Sequence, residues 1–418
     1  MENHQRLAVA MNVMLCLRLL VLAGPLNAQA QTPEYLHQLF ESGKVFALRD
    51  AVQHADVPLF YRGAVEASLN KIAQAQTHLH KVIQSDPHSE EAYQAHDLLC
   101  NMYQRNGLYR EALREAQAAF TERPNAKDLQ NVMPYFQALA RFPDMTVAKR
   151  RPSTVHRTSG DHSLPFKLNG KDDSFGFDTD AITSIMSDRE AAHLGMTTQA
   201  VSTKMGDSSG NGVSGFRVAV ANDLVIAGLH LKNVPFLVVP DTNEPFVEFP
   251  PDEYGRGLLG LPILIAMQTV RWQPKGDLDF GFHSEAATQL ANLLFHGTNP
   301  IVQVTVQNRL LDFSLDTGAI DTDLNQVFAK ELPALISSGQ RETHTITGFG
   351  GTNNYESILL PSVALQVGGK DVTLAPAHIF VANGVGGGSM WAGNLGNDLL
   401  NQAHAITLDF RAMSLKLD

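Results

Sequence analysis

Cysteine is nearly absent, with two residues in 418. One of them, Cys16, lies in an N-terminal apolar stretch that reads as a removable segment, which leaves Cys100 alone. No intrachain disulfide is then possible even in an oxidising compartment. The 16 histidines are scattered, and neither His-Glu-x-x-His nor Cys-x-x-Cys occurs. No metal site and no other cofactor is expected on that pattern. Long charge runs are missing too, and the net charge of −11, from 32 basic and 43 acidic residues, argues against a nucleic-acid backbone as partner. Two tryptophans are too few for an aromatic nucleic-acid platform. Gly384-Val385-Gly386-Gly387-Gly388 lacks the Lys-Ser/Thr and the following helix of a phosphate loop. Finally, no apolar run is long enough to span a bilayer. The longest candidate, Leu15 to Leu22, is interrupted by Arg18 and closed by Pro25. With Arg6 ahead of it and Ala28-Gln29-Ala30 as a small-x-small cleavage site, residues 1–30 read as a signal peptide. The mature chain is expected to be exported to the periplasm, with secretion or signal anchoring as alternatives, and with no stable membrane span.

What remains has ordinary globular composition, 44% hydrophobic and 18% charged, over a length that implies two or three domains. Residues 31–148 show alanine-rich amphipathic periodicity with few β-branched residues, which predicts helices. Two segments superpose there. Gly63, Ala75, Leu79, Val82 and Pro87 match Cys100, Ala112, Ala116, Ala119 and Pro124, and 37 residues separate both Ala75 from Ala112 and Pro87 from Pro124. The pattern resembles the tetratricopeptide repeat, whose small residues let paired helices approach. Flanking helices are expected over 34–55 and 129–141. Such an array serves either as a groove for a protein partner or as a packing platform. Lys149-Arg150-Arg151-Pro152-Ser153-Thr154 opens a basic, non-periodic segment, 149–160, read as a linker or surface-hugging loop. Beyond it, short Val/Leu/Ile/Phe/Thr runs separated by turns such as Asn169-Gly170 and Gly368-Gly369 predict an all-β region.

That β region contains an internal duplication. In the first copy a hairpin over 164–177 leads into Asp178-Thr179-Asp180-Ala181 and a short helix stopped by Gly195. In the second, a hairpin over 301–315 leads into Asp316-Thr317-Gly318-Ala319 and a helix stopped before Pro333. Glycine-rich hairpins follow, with Gly210 and Gly212 in one copy and Gly348, Gly350 and Gly351 in the other. Each copy ends on an apolar-glycine loop, at Leu259-Gly260 and Leu395-Gly396. Asp178 stands 82 residues before Gly260, and Asp316 stands 80 before Gly396. The division expected is 161–283 for the first lobe and 284–418 for the second.

The apolar strand, Asp-Thr-Gly-Ala, glycine hairpin and apolar-glycine loop, repeated in order over about residues 160 to 418, resemble the bacterial retropepsin-like aspartic peptidases in which two lobes share one chain. The resemblance implies a multidomain protein in which an α-helical repeat domain precedes an all-β bilobal aspartic-peptidase fold. It also implies a peptide or protein substrate. Asp178 and Asp316 become the catalytic pair, because two carboxylates about 3 Å apart share one proton and divide the roles of base and acid. Thr179 and Thr317 brace the two loops, Gly318 admits close backbone approach, the apolar-glycine loops pack behind the aspartates, and the glycine hairpins are flaps. Two positions depart from the family. Asp180 replaces the motif glycine and adds a third carboxylate, pointing either inward or outward; Asn394 stands where an apolar residue is usual. The alternative function is therefore a catalytically impaired peptide-binding or scaffold protein. Gly206-Asp207-Ser208-Ser209-Gly210 fits Gly-x-Ser-x-Gly, but strand-like 216–220 follows it rather than the helix that a nucleophile elbow needs.

Overall fold

Seven helices fill the N-terminal part of the described chain, Pro33–Glu41, Val45–Ala51, Leu59–Ser68, Ile72–Ser85, Glu90–Arg105, Tyr109–Glu122 and Lys127–Leu139. The computed structural model describes residues 32–418 apart from 54–55, 158–162, 208, 244–256, 285–290, 382–389 and the side chain of residue 128. The expected signal segment, all of Gly384 to Gly388, and Ser208 thus lie outside the described residues. No described helix is long and apolar enough to cross a membrane.

Small residues let the helices pair closely. A Cβ on Gly63 would stand 2.6 Å from Leu79 Cδ2, and Ala75, Ala95, Ala112 and Ala116 are fully buried. Ser89 caps its helix by accepting from the Ala92 amide. At corresponding turns, Asn70 and Asn106 exchange side-chain amide hydrogen bonds of 3.1 and 2.8 Å. His78 and His80 lie on the Ile72–Ser85 helix beside Glu66 and Glu115. The array packs against both β lobes. Its core continues into Val213, Phe216, Val218, Leu237 and Val239 of the first β lobe. Arg105, 2% exposed, donates to Gly297 O at 2.7 Å in the second lobe and lies 4.6 Å over the Phe295 ring. Burial pushes its guanidinium down to about 9.

The β region holds three sheets. The first lobe orders its strands Thr146–Lys149, Leu229–Val239, Ser184–Ser187, Gly257–Leu259, Lys171–Phe177, Leu164–Leu168, Arg217–Ile226 and Thr198–Ala200. Leu229–Val239 also pairs with Arg217–Ile226, which curls this sheet on itself. The second lobe orders Gln340–Gly348, Gly351–Leu360, Ala377–Phe380, Asp323–Leu324, Gly393–Leu395, Arg309–Leu315, Asn299–Val306, Val363–Val367 and Lys370–Leu374, with Leu293–His296 on Asn299–Val306. In both, the strand that precedes the Asp-Thr loop pairs in parallel with the apolar-glycine strand, Phe177 beside Leu259 and Leu315 beside Leu395. The expected hairpins are present. Their two-residue turns take positive φ at Asn169 and Gly170 (48° and 88°) and at Gln307 and Asn308 (47° and 63°), the conformation that matches strand twist.

A five-stranded antiparallel sheet joins the lobes, ordered Ser153–Val155, Leu278–Phe280, Thr269–Trp272, Ile406–Asp409 and Ser414–Leu417. The segment 149–160 is accordingly more than a linker where described. Lys149 pairs with His230, and Ser153–Val155 is the edge of the joining sheet, because the backbone donors around Pro152 find ladders on either side. Trp391 packs with Val45, Phe46, Leu294 and Ile301, between the second lobe and the helices.

Candidate active site

The two Asp-Thr loops meet through a reciprocal set of hydrogen bonds. The Thr179 amide donates to Thr317 Oγ1 and the Thr317 amide to Thr179 Oγ1, both at 3.1 Å. Each hydroxyl then donates across the interface, Thr179 Oγ1 to Leu315 O at 2.7 Å and Thr317 Oγ1 to Phe177 O at 3.2 Å. With Thr179 and Thr317 at 0% and 7% exposure, water does not compete for these groups. Cross-lobe bonding of this kind brings Asp178 and Asp316 together from strands 138 residues apart. The closeness is measurable at Gly318, where an added Cβ would stand 2.4 Å from Asp178 Oδ2. Only glycine fits there.

The loops behind the aspartates are matched. The Asp178 amide donates to Leu259 O and the Asp316 amide to Leu395 O, each at 3.0 Å, and both leucines are fully buried. The Gly260 amide donates to Ser184 Oγ at 3.0 Å, and the Gly396 amide to Thr322 Oγ1 at 2.9 Å.

The carboxylates themselves are held unequally. Asp316 Oδ1 accepts from the Gly318 and Ala319 amides, both at 2.9 Å, and Oδ2 accepts from Asn394 Nδ2 at 2.8 Å. Asn394 is held in turn by Ser314 Oγ, which donates to its Oδ1 at 2.6 Å. In the first lobe the paired positions are Leu258 and Gly176, so Asp178 has no such relay. Asp178 Oδ1 accepts from the Asp180 amide at 2.7 Å. Burial first, then the charges of Asp316 and Asp180, push the Asp178 carboxyl well above the ordinary range. The backbone role of the motif glycine is thus kept at Asp180, while its side chain adds a carboxyl. Burial and the Asp316 charge push that carboxyl up to about 7, so it lies within electrostatic reach of Asp316. Acidic groups continue outward. Asp323 is raised to about 7 by burial and by Asp321, Asp398 and Asp316.

The two glycine hairpins touch one another. Asp207 Oδ1 accepts from the Gly212 amide at 2.6 Å within its own hairpin, while Oδ2 accepts from the Gly350 amide of the other at 2.8 Å. Tyr355 Oη donates to Ser209 O at 2.6 Å, and Asn353 Nδ2 to the same oxygen at 2.8 Å. A Cβ on Gly350 would meet Asp207 Oδ1 at 2.7 Å. Gly348 pairs with Gly351 at the hairpin end, and Gly210 and Gly212 take positive φ. The Gly-x-Ser-x-Gly segment falls in the first hairpin and runs into the Arg217–Ile226 strand, not a helix.

Sequence reasoning did not anticipate Asn394 as a partner of Asp316, the Asp207 tie, or a third support from the helices. Thr183, 1% exposed, meets Tyr109 Oη at 3.1 Å and also Tyr135 Oη, so the array reaches behind the first Asp-Thr loop. A signal for Asn394 was present. Ser314 and Asn394 are both polar where the other copy has Gly176 and Leu258, and parallel pairing makes them neighbours.

Residues 164–263 match a family model described as aspartyl protease, which supports an aspartyl protease domain in this chain. The match covers the first lobe, whose motif carries Asp180; the second lobe, with the unaltered Asp-Thr-Gly, is tied to it by the threonine bonds above. No curated protein matches the chain.

Proposed function

We propose that the protein is an aspartic-type endopeptidase whose water-activating pair is Asp178 and Asp316. The observation that carries the proposal is the reciprocal threonine bonding, with Asp178 pressed against Gly318. The proton resides on Asp178, whose carboxyl is raised, and Asp316 is the base. A substrate carbonyl takes a hydrogen bond from Asp178 while a water between the carboxylates attacks its carbon. The water proton passes to Asp316 and the Asp178 proton to the carbonyl oxygen. Collapse of the tetrahedral diol returns a proton to Asp178, breaks the C–N bond and delivers the Asp316 proton to the leaving amine. Both carboxyls end as they began. Ile320, 80% exposed beside the second loop, offers an apolar contact at the cleft rim. The proposal includes export to the periplasm, for which residues 1–30 are the support.

Asp178→Asn and Asp316→Asn should each abolish cleavage of an unfolded protein between acidic and neutral pH. Undiminished turnover by either variant ends the proposal. A second reading, a peptide-binding or scaffold protein with weakened chemistry, is favoured by one observation, a third carboxyl at Asp180 within electrostatic reach of Asp316. Native protein and Asp180→Gly assayed side by side separate the two. Activity confined to the glycine variant supports the second reading, and activity in the native chain rejects it.

A further inference from the structure

We propose that Glu342, His344 and His378 form a zinc-binding site on the cleft side of the second flap hairpin. Glu342 and His344 are alternate residues of the Gln340–Gly348 strand, and His378 belongs to Ala377–Phe380. Strand register places all three on one face. Glu342 is opposite Ser357 and His344 opposite Tyr355, while Ser357 is in turn opposite Phe380, two residues from His378. That face looks toward the other flap, since Tyr355 and Asn353 on it bond Ser209 O.

The donor geometry is close to what a cation needs. One ligand atom from each residue lies within 4.8 Å of the other two. His378 Nδ1 is 2.5 Å from Glu342 Oε1, and the two imidazoles stack at 4.0 Å between centroids and 24° between planes. Tetrahedral zinc with bonds of about 2.1 Å holds its ligand atoms about 3.4 Å apart, so binding would part the Glu342–His378 pair, draw in the remaining donors and rotate the stacked imidazoles until their in-plane lone pairs converge. Two imidazoles and one carboxylate are a donor set that zinc takes with a fourth position left for water. Ser357 Oγ, 3.3 Å from Glu342 Oε1, is placed to orient the carboxylate from outside. Glu342 and His378 are 27% and 20% exposed, so solvent reaches these ligands directly. The sequence holds no motif for this site because its ligands come from two strands 34 or more residues apart in the chain. Bound zinc would pin the flap hairpin to the strand whose His378 pairs with Asp323, seven residues beyond Asp316. Slower substrate entry is the consequence if the peptidase reading holds, but binding itself does not depend on that reading.

The test is calorimetric titration of the full chain with Zn²⁺ alone, at a pH where imidazoles are neutral. One saturable site per chain is expected. His344→Ala and His378→Ala should weaken it by about 100-fold or more, because a direct ligand matters more than supporting residues whose loss costs about 10- to 100-fold. His88→Ala, an exposed histidine paired with Glu122 in the helical array, should leave affinity unchanged. Glu342→Gln preserves side-chain volume and guards against misfolding; it should weaken binding and alter the visible spectrum of the Co²⁺-loaded protein. Absence of a saturable site, or equal affinity in native protein, His344→Ala and His378→Ala, overturns the assignment.

Discussion

Asp180→Asn isolates the electrostatic consequence of the third carboxyl. In the folded protein that carboxyl is raised from 3.8 to about 7. A group raised in this way holds a proton in the folded state that the unfolded chain releases. Stability is therefore undiminished below pH 3.8, falls as pH rises through the window to about 7, and carries the whole penalty above it. A shift of that size corresponds to at most about 4 kcal/mol at 1.36 kcal/mol per unit, and screening in a half-buried cleft reduces it to about 2 kcal/mol. Asparagine cannot ionise, so the variant escapes the penalty. With an unfolding entropy of about 2.1 cal/mol/K per residue, the gain at pH 8 is about 2 to 5 °C in Tm. At pH 4 native and variant chains should melt together, which scanning calorimetry at the two pH values reads directly. A variant that melts lower than the native protein at pH 8, or an offset that is the same at both, refutes the reasoning. Peptidase assays supply a second sign. Asp180 is among the charges that hold the proton on Asp178, so the alkaline limb of kcat/KM should move to lower pH in the variant.

Asn394→Leu removes the donor at Asp316 Oδ2 and should lower kcat/KM by about 10- to 100-fold, the worth of a hydrogen bond to a charged group; an unchanged value makes the Ser314 relay incidental. Gly318→Ala forces a methyl to within 2.4 Å of Asp178 Oδ2 and should remove activity without unfolding the lobes, read by peptidase assay beside circular dichroism. Asp207→Asn weakens the tie between the flaps, and hydrogen exchange at the Gly350 amide should speed while exchange in the joining sheet stays constant. Tyr109→Phe combined with Tyr135→Phe strips the partners of Thr183 and should destabilise by about 1–3 kcal/mol in denaturant unfolding; no loss means that the helices support the loop by packing alone.

The duplicated order of parts was legible because it is written in local chemistry. Asn169-Gly170 and Gln307-Asn308 specify turns with positive φ, strand alternation specifies the buried faces, and Gly195 ends a helix. Matching these signals between copies also located both Asp-Thr loops. The basic stretch at 149–151 misled, since a short strand beside a proline carries no periodicity, and only its partner at 278–280 makes 153–155 a strand. Asn394 and Asp207 were not assigned roles because a polar residue in a strand or turn has many uses. Which one it serves depends on what lies across the space it faces.

Sequence by itself determined the helical and β halves, the two-copy plan and the residues able to form a carboxylate pair, since these rest on periodicity, turn chemistry and spacing. Tertiary structure decided that the helical core runs on into the first lobe, that the Asp180 carboxyl comes within reach of the Asp316 charge, that Asn394 serves Asp316, and that Glu342, His344 and His378 converge. The physical reason is range. Propensity and turn preference act within a few residues, whereas a carboxylate's proton affinity and a histidine's neighbours are set by groups brought close from distant parts of the chain.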